Sequence, residues 1–219
     1  MLSMRGTIIL LLGVLLTGLA APAFPEMPKS REAALAALKS PDPASRAEAI
    51  TWIANHGTMA DAALLHQRLR DDSPIVRSFA ESGLWLLWGR SGDAEIDKLM
   101  AHGTEEMQAG RHEQAVADFT VVIRKRPDFA EGWNRRATVL FLAGEFRRSI
   151  DDCNEVLKRN PGHFGALAGL GQIYVALDEP ELALSWFRKA LEANPNLVGV
   201  EISIRQLEEA LKEKRRRTT

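Results

Sequence analysis

The sequence predicts an all-α protein built as a solenoid of stacked helix pairs, and three observations predict it. The first is composition. Ala, Leu, Glu and Arg dominate, all strong helix formers, while aromatic residues make up only 6% of the 219-residue chain. The second is a period. Pro127, Pro161 and Pro195 stand 34 residues apart, twice over. The third is that small and large apolar residues recur at that same period, as stacked helix pairs require.

The first 23 residues read as a targeting segment and stand outside the fold. Arg5 supplies a positive start, Ile8 to Leu19 an apolar core, and Ala21-Pro22-Ala23 the small residues a signal peptidase reads. The apolar core is short for a bilayer span of about 20 residues. Cleavage after Ala23 is expected, with an uncleaved membrane anchor as the alternative. Either reading implies export, to the periplasm in a bacterium. Residues 24–31 form a linker.

Residues 32–92 carry a weaker echo. The stretch Leu38-Lys39-Ser40-Pro41-Asp42-Pro43-Ala44-Ser45-Arg46 is answered by Leu69-Arg70-Asp71-Asp72-Ser73-Pro74-Ile75-Val76-Arg77, at an offset of 31. Each copy leads into a helix with apolar spacing: Ala49, Ile50 and Ile53 in the first, Phe79, Leu84 and Leu87 in the second. The region resembles HEAT-type repeats. Two copies are fewer than an array needs alone. They are expected to stack on the following repeats as one continuous superhelix. Trp85 and Trp88, three apart on one helix face, are expected to fill the junction; an exposed partner patch is the alternative.

Residues 96–197 divide into three units: Ile96 to Phe129, Ala130 to His163 and Phe164 to Leu197. The first helix of each unit begins with a large residue expected in the core: Leu99, Trp133 or Leu167. One turn on stands a small one: Gly103, Ala137 or Gly171. A larger position follows at Glu106, Leu140 and Tyr174, and Glu106 predicts a looser edge in unit one. The second helix repeats Ala115, Ser149 and Ala183, then Phe119, Cys153 and Phe187. Small residues let two backbones cross closely while rings fill the space beside the crossing. Gly110 and Gly144 suit left-handed helix ends, and each proline stops its second helix. These residues resemble the tetratricopeptide repeat (TPR) family over Ile96 to Leu197, which implies a right-handed α-solenoid. A terminal helix at 198–216, with Ile202, Ile204, Leu207 and Leu211 on its apolar side, caps the array.

The resemblance also implies a ligand groove lined by the first helix of each pair. Carried over residue by residue, it gives Asp97, Met100 and Thr104 from unit one. Unit two gives Asn134, Arg135, Thr138 and Phe141, and unit three Ala168, Gln172 and Val175. Ser203 and Gln206 of the cap extend the set. A clamp for peptide carboxylates is not expected. Met100 and Thr104 stand where that clamp has Lys and Asn, and Gly165 and Gly169 where it has basic residues. A short segment docking on Phe141 and Val175 fits the groove better.

Charge and chemistry narrow the function. With 28 basic and 29 acidic residues, no bulk field favours nucleic acid. The basic run Lys212, Lys214, Arg215, Arg216 and Arg217 reads as a solvated helix end, with anionic lipid as the alternative contact. The five histidines and single cysteine show no metal-ligand spacing, and no nucleophile elbow or phosphate loop is present. Asp151-Asp152 and Glu105-Glu106 are expected on solvated faces, and Cys153 as a buried, inert thiol. The expectation is a binding scaffold for a protein or peptide partner, without enzyme activity, metal or cofactor. A self-assembling solenoid and an enzyme or small-ligand carrier are the alternatives, and the oligomeric state stays open.

Overall fold

The structure, a computed structural model, describes residues 26–218, which fold into eleven α-helices, one short 3₁₀ turn and no strand. The signal segment and the first two linker residues lie outside them. Four helices form the N-terminal block: α1 (Arg31–Ala37), α2 (Pro43–His56), α3 (Ala62–Arg68) and α4 (Pro74–Gly89). Three pairs follow: α5 (Ala94–Gln108) with α6 (His112–Lys125), α7 (Ala130–Leu142) with α8 (Phe146–Arg159), and α9 (Phe164–Ala176) with α10 (Pro180–Ala193). The last helix is α11 (Val198–Thr218).

The 34-residue period is visible in backbone geometry. Gly110, Gly144 and Asp178 each end a first helix at positive φ (73°, 76° and 58°). At each of these turns the next amide reaches back to the carbonyl of Glu106, Leu140 or Tyr174. The second helices are capped by Arg126, Asn160 and Asn194, one residue before the three prolines.

Packing at the helix crossings obeys a size rule. A Cβ on Gly103 would lie 2.8 Å from the Phe119 ring, and one on Gly171 would collide with Phe187. In the middle unit the first helix carries Ala137 instead, and the opposing residue shrinks to Cys153, within the same buried cluster. Glycine thus faces a ring twice, and alanine faces a thiol once. Beside Cys153, the buried Ser149 hydroxyl donates to the Ala137 carbonyl (2.7 Å).

Several positions differ from the sequence reading. Glu106 is buried rather than solvated: its stem takes the large position while Arg111 grips its carboxylate (2.5 and 2.8 Å). Asp152 is buried too, held bidentately by Arg136 (2.7 and 2.8 Å), whose third nitrogen reaches Thr120 (3.0 Å). The unit-one counterpart of that pair is His102 with Asp118, at 2.7 Å. The Trp133 ring is only half-buried. Its indole donates to the Pro127 carbonyl (3.1 Å), and its faces carry the guanidiniums of Arg136 and Arg159, 5.2 and 4.8 Å from the ring centre. On α11, Ile204 and Leu207 pack inward while Ile202 is exposed.

The N-terminal block does not extend the array end to end. The 31-residue echo is a repeated arginine clasp that turns the block sideways. Arg46 donates to the carbonyls of Ser40 and Pro41 (2.9 and 3.1 Å) and reaches forward to Asp71 (3.0 and 2.6 Å). Arg77 repeats the grip on the carbonyls of Asp71 and Asp72 (2.9 and 3.1 Å), but its forward partner is Asn196 (3.0 Å), in the last inter-repeat turn. Asn196 also donates to Leu69 (2.8 Å), Asn194 to Glu81 (3.0 Å), and Arg70 to the Glu192 carbonyl. At the other end Arg126 donates to Ser91 (3.0 Å). The block therefore lies across the inter-repeat turns, and Phe164, Ala193 and Leu197 join its apolar core.

The size rule predicts coupled mutants. Cys153→Phe should cost about 1–3 kcal/mol by overpacking against Ala137. Adding Ala137→Gly should recover part of that loss, although the same change alone costs about 1 kcal/mol in helix propensity. Urea unfolding of the four proteins measures the coupling; simple additivity would refute the rule.

Candidate functional site

Between α7 and α9 lies a cleft of about 140 Å³. Its floor is Ala137, Cys153 and Ile173, and small residues of α9, Ala168 and Gly169, leave it open. Phe141, half-buried and tilted on Phe146 with ring centres 5.8 Å apart, closes one side. Asn134, Thr138 and Gln172 supply its polar groups. The Asn134 amide is oriented by a bond to Glu131 (3.0 Å), and the Thr138 hydroxyl donates back to the Asn134 carbonyl (3.0 Å).

The floor is chemically quiet. Burial, reinforced by the charge of Asp152, pushes the Cys153 thiol up to about 12, so it stays protonated at neutral pH. The Ser149 hydroxyl is committed to a carbonyl. What remains is an apolar floor with amides beside it. Such a site can seat a compact apolar side chain while Asn134 and Gln172 bond its main chain.

The structure gathers five of the expected groove residues here: Asn134, Thr138, Phe141, Ala168 and Gln172. Arg135 is turned to Glu131 (2.7 Å), and Val175 is exposed outside the cleft. Unit one contributes nothing to it. Met100 packs among Ile96, Val122 and Phe129, the Thr104 hydroxyl bonds the Met100 carbonyl (2.7 Å), and Asp97 accepts from Ser91 (2.5 Å). On the cap, Ser203 bonds the Gly199 carbonyl (3.0 Å) and Gln206 is exposed.

The edge of the cleft is built by Trp85 and Trp88, at the junction where the sequence placed them, and by His163 and Glu131, which it did not single out. Trp85 of α4 lies over Gly165, where any Cβ would collide with the indole. Beside it, buried His163 donates from Nε2 to Glu131 (3.2 Å), and its Nδ1 accepts the Ala166 amide (3.1 Å). The ring stacks on Trp88 at 4.3 Å and 24°. One signal was available. His163 stands 34 residues after Phe129 and 34 before Leu197, a polar residue at an apolar position of the repeat. Burial alone would raise the Glu131 pKa, but hydrogen bonds from His163 and Arg135 hold it below the usual carboxylate range.

Comparison with known proteins agrees with this geometry. The tetratricopeptide repeat family matches residues 100–162 and 143–197, so this part of the chain carries tetratricopeptide repeats. A TPR repeat-containing protein of Rhizobium etli is 34% identical over 132 residues, covering 60% of this chain and 65% of that protein. The small glutamine-rich tetratricopeptide repeat-containing protein of Dictyostelium discoideum is 29% identical over 47% of this chain, which spans 31% of that protein. The chain thus covers less than two thirds of either relative. Among solved structures, the first TPR of Spaghetti (RPAP3) bound to an HSP90 peptide superposes with a TM-score of 0.52. Identity there is 23%, over 55% of this chain and 96% of that one. The TPR2B domain of yeast Sti1, in complex with an Hsp70 peptide, gives a TM-score of 0.50 at 19% identity, over 54% and 99%. These likenesses concern the fold. No helix among the described residues is long and apolar enough to cross a membrane.

Glu131 predicts a signed pH effect. Its folded pKa is depressed, so its contribution to stability is full above its unfolded value, near 4.5, and is lost as pH falls through the folded pKa. Glu131→Gln should cost roughly 1–3 kcal/mol at neutral pH. The gap from wild type should narrow as the medium is acidified below that value. Urea titrations at several pH values check it; a gap independent of pH would contradict it.

Proposed function

We propose that the protein is an exported, non-enzymatic interaction scaffold that captures a short partner segment in the α7–α9 cleft. The observation that carries this is the cleft itself: an apolar floor beside the Asn134 amide that Glu131 orients, an inert thiol beneath it, and small α9 residues that leave it open. Related folds seen with HSP90 and Hsp70 peptides support segment binding as the mode. This site differs from a charge clamp in having no basic side chain in its lining, so the segment should present a compact apolar residue rather than an acidic terminus. Export rests on the sequence of residues 1–23.

Gly169 provides the test. A Cβ there meets only Cys153 Sγ, at 3.8 Å, so a larger side chain is tolerated by the fold while plugging the cleft. Full-length protein expressed in a bacterium should fractionate with the envelope and, once processed, begin at Phe24. Crosslinking there should trap a partner segment on Phe141 or Gln172, and Gly169→Leu should abolish that crosslink without loss of helical signal. A cytoplasmic, unprocessed chain would refute export. An undiminished crosslink in a folded Gly169→Leu protein would refute the cleft.

A further inference from the structure

Helix α4 has three faces. Val76, Ala80, Leu84 and Leu87 join the core of the N-terminal block. Arg77, Glu81 and Trp88 face the repeats, through Asn196, Asn194 and His163. The third face turns away from both. Ile75, Phe79 and Leu86 stand on it, 61%, 43% and 49% exposed, with Trp85, 36% exposed, at its border with the repeats. Between these large residues lie the exposed small ones, Ser78, Ser82 and Gly89. No charged residue stands on this face, in a chain that is 26% charged. The spacing, three or four residues from one to the next, is the one by which a helix packs its apolar stripe against a neighbour. The stripe runs about 20 Å along α4. Soluble monomers rarely leave such an apolar surface uncovered.

The order of sizes along the stripe is complementary to itself. A two-fold axis through Ser82 lays a second α4 antiparallel on the first and sets each residue against the one equally far on the other side of Ser82. Ile75 then meets Gly89, where a Cβ would find nothing within 4 Å. Leu86 meets Ser78, and the rings of Phe79 and Trp85 meet each other. Large thus faces small, or ring faces ring, at every position, with Ser82 against Ser82 at the closest approach. The ends match in charge as well. Asp72, just before α4, keeps a 90% exposed carboxylate while holding Arg46, and exposed Arg90 caps the other end. The same axis brings Asp72 of each copy to the end that carries Arg90 of the other. Antiparallel helices also set opposite dipole ends side by side.

We infer that the open face of α4 is the interface of a two-fold dimer of this chain, with Ser82 on the axis. A two-fold contact of this kind closes on itself, so it gives a dimer and not a filament. One helix pair buries less than the roughly 800 Å² per partner of a standard interface, so association belongs in the micromolar range. The inference does not depend on what the α7–α9 cleft binds.

Sedimentation equilibrium of the full chain, from low to high micromolar concentration, tests it. The wild type should pass from monomer to dimer and no further. Ser82→Glu and Ser82→Arg each put like charges against each other on the axis, and each should weaken self-association by about 10-fold or more. Mixing the two variants should restore the dimer, because Glu then meets Arg. Gly89→Leu fills the space that Ile75 needs and should weaken the dimer several-fold. All three changes are at exposed positions, so the helical signal should be that of the wild type; should one variant misfold, the others carry the comparison. A wild type that stays monomeric at every concentration overturns the inference, whether another protein or the chain's own N-terminal residues cover the stripe. A dimer that survives in folded Ser82→Glu, or a Glu–Arg mixture that stays monomeric, overturns it too.

Discussion

His163 stands where the two halves of the molecule meet. Its Nδ1 accepts the amide that opens α9, its Nε2 donates to buried Glu131 of α7, and its face stacks on Trp88 of α4. With Nδ1 accepting, the ring proton must sit on Nε2, so the helix cap and the carboxylate contact fix one tautomer between them. Trp85 and Phe164 complete the cluster at 5.2–5.3 Å in edge-on contacts. A buried carboxylate would be unfavourable here by itself; tied to His163, Arg135 and Asn134, it instead locks the starts of two repeats to each other.

This junction decides what the repeats can offer a ligand. A free array would expose the starts of its first helices along the whole concave face. Here α4 covers that edge, and its indole takes the space over Gly165. What stays open is the middle of α7 and α9, where Ala168 and Gly169 leave room beside Phe141. The same sideways placement leaves a second crevice between α4 and the turn after α8.

The repeat architecture was legible in the sequence because backbones that cross closely demand glycine or alanine at fixed intervals, and turns demand positive φ. Gly103, Gly171, Gly110 and Gly144 announce those demands directly. The exchange of Gly and Phe for Ala137 and Cys153 was written there too, as matched changes at the same register. Charged residues were harder to place. Glu106 and Asp152 look like surface carboxylates until the turn after α5 folds Arg111 back onto the first and the α7–α8 crossing brings Arg136 to the second. The sideways docking was the least legible feature, because Arg77 and Asn196 lie 119 residues apart and no local pattern joins them. The cleft was half visible. Register named Asn134, Thr138, Phe141 and Gln172, but not the withdrawal of Met100 into the core of α5.

Through His163 the N-terminal block and the repeats form one cooperative unit. Hydrogen exchange of the backbone amides at increasing denaturant tests it most directly. In the wild-type protein, the protected amides of α4 and α9 should exchange through one shared opening, with the same free energy and denaturant dependence. In His163→Ala, α4 should open at lower free energy than α10. Independent opening of α4 in the wild type, or unchanged coupling in His163→Ala, would show that His163 does not join the two halves.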